Sequence, residues 1–129
     1  MFDTFHTTAV VPSLAPAVQT ATLKGGTVDI ANYNSALLVV NTGAIDSSGA
    51  YSIAIQESDT TTDGDFANVA ADDLLGALPT TLAASTVYRQ GYIGSKRYIR
   101  AVITKASGTS IAAGAVFVLG GSRLQPVGV

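Results

Sequence analysis

Residues 50–57, AYSIAIQE, alternate between large apolar side chains and small or polar ones, with Tyr51, Ile53 and Ile55 on one side. Successive side chains of a β-strand point to opposite faces of a sheet, so this period of two predicts a strand with one buried face. Residues 97–104 have a similar pattern, again with apolar side chains along one side. Each of these two segments therefore predicts a strand with one buried face.

The segment before the first of these strands is apolar without interruption. Residues 36–42, ALLVVNT, form a continuous run that is typical of a strand covered on both faces. The turn sequence Asp46-Ser47-Ser48-Gly49 joins this run to the alternating segment. Residues of these types favour tight turns, so the sequence predicts that the two strands form a hairpin.

The remainder of the chain adds several short strands and one helical turn, predicted for residues 71–76. Further strands are predicted at residues 17–23, 26–30, 66–70, 86–93 and 112–120. Many short strands separated by turn residues, with almost no helix, indicate a β-sandwich or a jelly roll. We therefore expect an all-β fold in which residues 17–129 form one antiparallel β-sandwich domain, jelly-roll-like in arrangement.

The first 16 residues lack a sustained period and contain Pro12 and Pro16. Proline favours extended backbone and cannot donate a hydrogen bond to a sheet. Residues 1–16 are therefore predicted to form an extended N-terminal arm, although a frayed terminus fits the same pattern. If the arm docks on a partner, its apolar side chains are the expected contacts. These are Phe2, Phe5, Val10, Val11 and Leu14.

The composition indicates a protein that is permanently bound to other protein subunits. Of the 129 residues only 12% are charged, whereas about 25% is usual, and 47% are hydrophobic. A surface with so few charges suits permanent burial better than life as a free monomer. There is no cysteine, so disulfides and thiolate metal sites are excluded. The sequence shows no signal peptide and no apolar run long enough for a membrane helix, so no membrane partner is expected.

Charge is divided unevenly along the chain. The first 73 residues contain all nine acids and one base, a charge of −8, and the remainder contains six bases and no acid. Acidic and basic strands could neighbour each other within one fold, or an acidic and a basic surface could meet between subunits. The acidic balance and the absence of a dense basic run argue against a nucleic-acid partner.

The search for catalytic and metal-binding motifs predicts no enzyme, no cofactor and no metal. The single histidine, His6, lies in the predicted arm, where a catalytic base would not be held rigidly. Asp59, Asp63 and Gly64 match the start of a calcium loop, but Ala70 stands where the template requires a bidentate Glu. We therefore interpret residues 59–65 as a solvated loop, with weak cation binding left open.

Several segments resemble small virion proteins of tailed bacteriophages. They are residues 28–30, 56–59, 66–69, 92–100 and 115–120. Between residues 17 and 121 the pattern is similar to that of the head decoration, or capsid cement, proteins. The resemblance implies a β-sandwich that forms a homo-oligomer, often a trimer, and clamps neighbouring major capsid protein subunits at the virion surface. It brings no catalytic residues, and the N-terminal arm lies outside it.

Two other functions remain open at this point. The same features would suit another phage structural subunit, such as a head–tail joining, tail or fibre-base protein. A carbohydrate-binding or adhesin-like β-sandwich is a third possibility. The absence of tryptophan, and so of the largest aromatic platform for a sugar, argues against it.

Overall fold

The computed structural model describes residues 3–122 and shows an all-β protein of two antiparallel five-stranded sheets packed as a sandwich. Within these residues there is no α-helix, and two single 3-10 turns lie at Asp63–Asp65 and Ala71–Asp73. The strands are β1 Thr8–Gln19, β2 Leu23–Lys24, β3 Val28–Asp29, β4 Ser35–Asp46, β5 Ala50–Ser58, β6 Ala67–Asn68, β7 Leu74–Leu75, β8 Val87–Tyr92, β9 Tyr98–Ser107 and β10 Ser110–Gly120.

The strand order is that of a long hairpin rolled up on itself. The first sheet runs β1-β10-β4-β8-β7, and in the second β2 and β3 both pair with β9, followed by β5 and β6. Strands from the two ends of the chain pair in nested fashion: β1 with β10, β2 and β3 with β9, β4 with β8, and β5 with β6. The ladders β10–β4 and β9–β5 then close the roll. This is a jelly-roll arrangement, and the predicted fold class is confirmed.

The hairpin predicted between β4 and β5 is wrong. The two strands belong to different sheets, and the turn between them carries the chain across the edge of the sandwich. Ser47 and Ser48 both have positive φ, 49° and 57°, and the Gly49 amide donates to the Asp46 carbonyl at 3.2 Å. A tight turn of this kind is compatible with either connection. The choice is made by β10 and β9, which lie far along the chain and hold β4 and β5 in separate ladders.

The core lies between the sheets and follows the alternation read from the sequence. Tyr51, Ile53 and Ile55 of β5 are buried, as predicted, and so are the inward-facing residues of β9. The Tyr51 hydroxyl donates to the Thr109 carbonyl at 3.0 Å, so this buried polar group is satisfied. The other large buried side chains are Leu14, Leu38, Val40, Leu82, Ile99, Ile103, Ile111, Phe117 and Leu119.

The structure moves the start of the sandwich from residue 17 to residue 8. Residues 8–16 belong to β1, an edge strand paired with β10, where the sequence predicted an arm. Leu14 is only 1% exposed and contributes to the core. The Ser13 hydroxyl accepts the Ala101 amide at 2.9 Å, which ties β1 to the second sheet. Prolines are tolerated in β1 because it is an edge strand, and its register shifts between Pro12 and Ala17.

The acidic and basic halves of the chain meet within this one fold. Arg97 pairs with Asp29 at 2.9 Å, and Lys96 pairs with Asp59 at 2.8 Å. Asp63 accepts from both Lys24 and Arg100, at 2.9 and 2.7 Å. The first of the two interpretations of the charge division is therefore seen directly, because the described acids and bases form these pairs inside a single chain.

Candidate partner-binding face

The outer surface of the first sheet is apolar across all five of its strands. Alternation places every second residue of these strands on this surface, away from the core. We call it the apolar face. Its members are Val10, Pro12, Pro16, Val18, Leu37, Val39, Leu75, Val87, Val116 and Val118, together with the small residues Gly43, Gly91, Ala112 and Gly114.

Strand register aligns these side chains into rows that cross the sheet. One row joins Val10, Val118, Leu37, Gly91 and Leu75, one residue from each strand. Directly opposed residues in neighbouring strands lie about 5 Å apart at Cβ, so such a row forms a continuous apolar band. The bands have no counterpart layer within the described chain, which leaves this side of the sheet open.

The apolar face has both ridges and a groove. Val10, Val18 and Val87 project from it and are 61%, 65% and 64% exposed. Between them runs an open groove of about 640 Å³ with Ala112 and Gly114 among its lining residues. Glycine is required at 114 because a Cβ there would lie 3.0 Å from the Cα of Pro16. The absence of a side chain at that position lets β1 lie close against β10 there.

Polar groups are few on this surface, and two of them, Arg89 and Asn41, lie within it. Arg89 projects from β8, opposite Val39, and is exposed. It forms no ion pair with any residue in the described part of the chain. Asn41, next to the groove, is the neighbouring polar side chain. Apart from Asn41, which lies opposite Gly114, the centre of the face over β10 and β4 is apolar.

The outer surface of the second sheet has the opposite character. The loop of residues 59–66 lies over it, and Arg100, only 6% exposed, anchors that loop. Its guanidinium donates to Gln56 Oε1 at 2.8 and 3.0 Å and lies 4.1 Å from the ring centre of Phe66. Hydrogen bonds from Lys24 and Arg100 lower the pKa of Asp63. This surface is already covered by charged and hydrogen-bonded groups of the same chain.

The predicted partner-contact residues are separated by the structure. Phe2 lies outside the described residues. Phe5 and Val10 are about 60% exposed, and Val10 belongs to the apolar face. Val11 is half-buried against the core, and Leu14 is fully buried within it, so Leu14 serves the protein's own interior. Most of the apolar face escaped the sequence reasoning, although the apolar runs of β4 and β10 were its signal.

The loop that resembled a calcium site directs its carboxylates to the protein's own groups. Asp59 pairs with Lys96, Asp63 with two bases, and Asp65 accepts the Thr60 hydroxyl at 2.6 Å. Within residues 3–122 no group of three His, Asp or Glu side chains is arranged to hold a metal ion. The helical turns in this range are also too short and polar to cross a bilayer.

The hydrogen bond between Tyr92 and Glu57 also has a structural role. The Tyr92 hydroxyl donates to Glu57 Oε1 at 2.8 Å and accepts the Lys96 amide at 3.1 Å. Burial, and then the Glu57 carboxylate, raise the pKa of Tyr92. The phenol is therefore held in its neutral form, in which it bridges β5, β8 and the turn before β9.

Comparison with known proteins gives matches in structure alone: no protein-family model and no curated protein sequence matches this chain. The crystal structure of the SPBc2 prophage-derived protein YomS matches with a TM-score of 0.52 and 13% identity, over 87% of this chain and 91% of that one. At this identity the likeness shows a shared fold.

Two structures of infectious bursal disease virus, of the Gx and Gt strains, also match, with TM-scores of 0.47 and 0.44 and 13% identity. The matches cover 92% of this chain in both cases. The chain spans about a third of the viral chains, 34% and 33% of their lengths.

Proposed function

We propose that this protein is a structural subunit of a phage particle, without enzymatic activity or cofactor, that decorates the capsid and clamps neighbouring major capsid subunits. The apolar face is the observation that carries the proposal. Five strands about 4.8 Å apart and four rows of side chains give it an area of roughly 500 Å². A patch of that size is at the upper end of what soluble monomers expose, where such patches are often functional, and it supports a role in association.

Composition and fold support the same function. Because only 12% of the residues are charged, the surface has few charges to oppose association with other proteins. The jelly roll is an architecture found in viral capsid proteins, and the same fold occurs in the prophage-derived YomS. The proposed partners are the major capsid protein and further copies of this chain, as a homotrimer on the outer surface of the capsid.

A clamp of this kind needs no chemistry. Specific interfaces bury about 1,200–2,000 Å² in total, and one small sandwich can supply such an area from its faces and its N-terminal segment. When an oligomer contacts several capsid subunits at once, each further contact is intramolecular, so weak individual contacts add up to tight attachment. A rigid jelly roll suits this role because little order is lost when it binds.

The direct test is decoration of particles in vitro. Purified protein would be mixed with phage heads that lack it, and binding measured by co-sedimentation and by electron microscopy of the particles. We expect saturable binding at regular positions on the shell and greater resistance of the heads to heat. Binding confined to the tail, or no binding to any particle, would refute the proposed function.

A further inference from the structure

We infer that the apolar face is covered by a second copy of this chain, packed face to face about a two-fold axis as in a dimer, in place of the three-fold contacts of a trimer. The inference rests on the proposed function only in placing the oligomer on a phage capsid. The first argument comes from β4 and β10. Leu37 and Val39 point outwards and Leu38 and Val40 inwards, so the apolar run predicted a strand covered on both sides. The single chain covers one side only.

The second argument is that the face is complementary to itself. Val18 and Val87 are ridges, and the strip over Ala112 and Gly114 is a groove on the same surface. A symmetric interface brings the same patch of two copies together, so a patch that contains both a ridge and a groove can satisfy itself. Sheet-on-sheet packing of this kind repeats what the two sheets of one copy already do, at about 10 Å separation.

Area and charge fit the same occupant. Roughly 500 Å² from each copy gives roughly 1,000 Å² in total, which is the minimum for a biological interface with good complementarity. Arg89 lies on β8, one strand in from the edge of the sheet, and Asn41 is the one polar side chain at the centre of the face over β10 and β4 among the described residues. Because Arg89 is the direct neighbour of Val39, its long side chain has to extend past the edge strand β7 for its guanidinium to stay in water when two copies meet.

The order of events also favours a second copy over the capsid shell. An exposed apolar face favours aggregation as soon as the chain has folded, before an assembled capsid shell is available to cover it. Another copy is then the partner present at equal concentration, and association by mass action stabilises both chains. Edges of the oligomer, and the segment around Phe5, would remain available for the shell.

The test is the oligomeric state of a variant at the centre of the face. Val39→Lys places a charge there, and Thr104→Lys places the same charge on the exposed outer side of β9 as a control. Sedimentation velocity between about 1 and 100 µM should show an oligomer for wild type and Thr104→Lys. Val39→Lys should dissociate at least tenfold more readily towards the 13.1 kDa monomer, with unchanged circular dichroism. Val39→Thr, of the same shape, replaces it if the lysine variant does not fold.

A wild-type monomer at every concentration, or an oligomer that both variants at residue 39 leave intact, would overturn the inference. Binding to phage heads separates this result from the proposed function. If wild type is monomeric and Val39→Lys abolishes binding to heads, the shell covers the face, and only the inference fails. If wild type is an oligomer that the Val39→Lys substitution dissociates, and wild type does not bind phage heads, the inference stands and the proposed function fails.

Discussion

Arg100 and Asp63 lie 37 positions apart in the sequence, and their side chains meet at 2.7 Å between Nη1 and Oδ1. Arg100 is fixed in the second sheet, whereas Asp63 lies in the loop of residues 59–66. The same guanidinium stacks on Phe66 and donates twice to Gln56. The Arg100 side chain therefore holds the loop of residues 59–66 against the sheet, and this loop shields the outer side of the sheet from solvent.

Replacing Arg100 with methionine should release the loop while the rest of the sandwich stays folded. The change removes charge-assisted hydrogen bonds and the stacking on Phe66, for which a loss of about 1–3 kcal/mol is expected. Thermal unfolding and limited proteolysis within residues 59–66 would measure it. Lys105→Met, on an exposed β9 side chain, is the control and should change neither. Equal protease resistance in both variants would contradict this role for Arg100.

Acid should weaken the fold below about pH 4. Hydrogen bonds from Lys24 and then Arg100 lower the pKa of Asp63 below 3.8, and Arg97 does the same for Asp29. A carboxyl group with a depressed pKa in the folded state contributes stability above its unfolded pKa, and that stability is lost as pH falls through the folded value. Urea unfolding from about pH 6 to 2.5 should show this decline.

The matched variants for this pH dependence are Asp63→Asn and Asp72→Asn. The first removes one of the shifted groups, so its stability should fall less steeply in acid than that of wild type. Asp72 is exposed and has no ion pair among the described residues, so its variant should follow the wild-type curve. Identical curves for all three proteins would show that the Asp63 contacts do not contribute.

Glycine at 108 should be irreplaceable, and glycine at 64 dispensable. Gly108 has a φ of +78°, and a Cβ there would lie 2.4 Å from the Ser48 carbonyl oxygen. Gly108→Ala should therefore cost more than about 2 kcal/mol in the free energy of unfolding, from the left-handed backbone and the clash together. Nothing lies within 4 Å of a Cβ at Gly64, so Gly64→Ala should change stability by less than about 1 kcal/mol.

The turn between β4 and β5 should be improvable. Ser47 and Ser48 both adopt left-handed backbone, which Asn and Gly tolerate better. The double variant Ser47→Asn/Ser48→Gly should gain about 0.5–1 kcal/mol of stability, seen as a higher melting temperature. Ser52→Gly, in the regular backbone of β5, should lose stability because glycine costs more entropy there. A loss in the double variant would show that the serine side chains support the turn.

The N-terminal segment should matter for attachment to particles. Phe5 is 60% exposed and precedes β1, so Phe5→Ser should leave the fold and its melting temperature unchanged. If Phe5 inserts into the shell, the variant should bind heads about tenfold or more weakly, because a buried phenylalanine contributes about 1.5–3 kcal/mol. Leu23→Ser, also exposed but on β2, is the control. Equal binding by both variants would show that Phe5 is not an anchor.

Local patterns were enough to predict the sheet character and the inward residues. The period of two in residues 50–57 placed Tyr51, Ile53 and Ile55 in the core, where they lie. The same reasoning placed the apolar residues of β9 correctly. These predictions succeed because a half-buried strand must alternate, whatever it pairs with.

Pairing between distant strands was beyond such reasoning. The Asp46–Gly49 turn fits a hairpin as well as a crossing between sheets, and the β10 and β9 ladders decide between them. Residues 8–16 were predicted as an arm because of Pro12 and Pro16, yet Leu14 completes the core from an edge strand. The apolar face likewise exists only once register aligns residues from five strands.

The prolines of β1 limit the ways in which further chains can add to the edge of the first sheet. β1 is the long outer strand of the first sheet, and Pro12 and Pro16 with two register shifts interrupt its backbone. The other outermost strands of the two sheets, β2, β3, β6 and β7, are two residues each. A neighbouring chain therefore finds little backbone on which to add a strand. Crowded copies can stay in solution as finite complexes and need not grow into amyloid-like fibres.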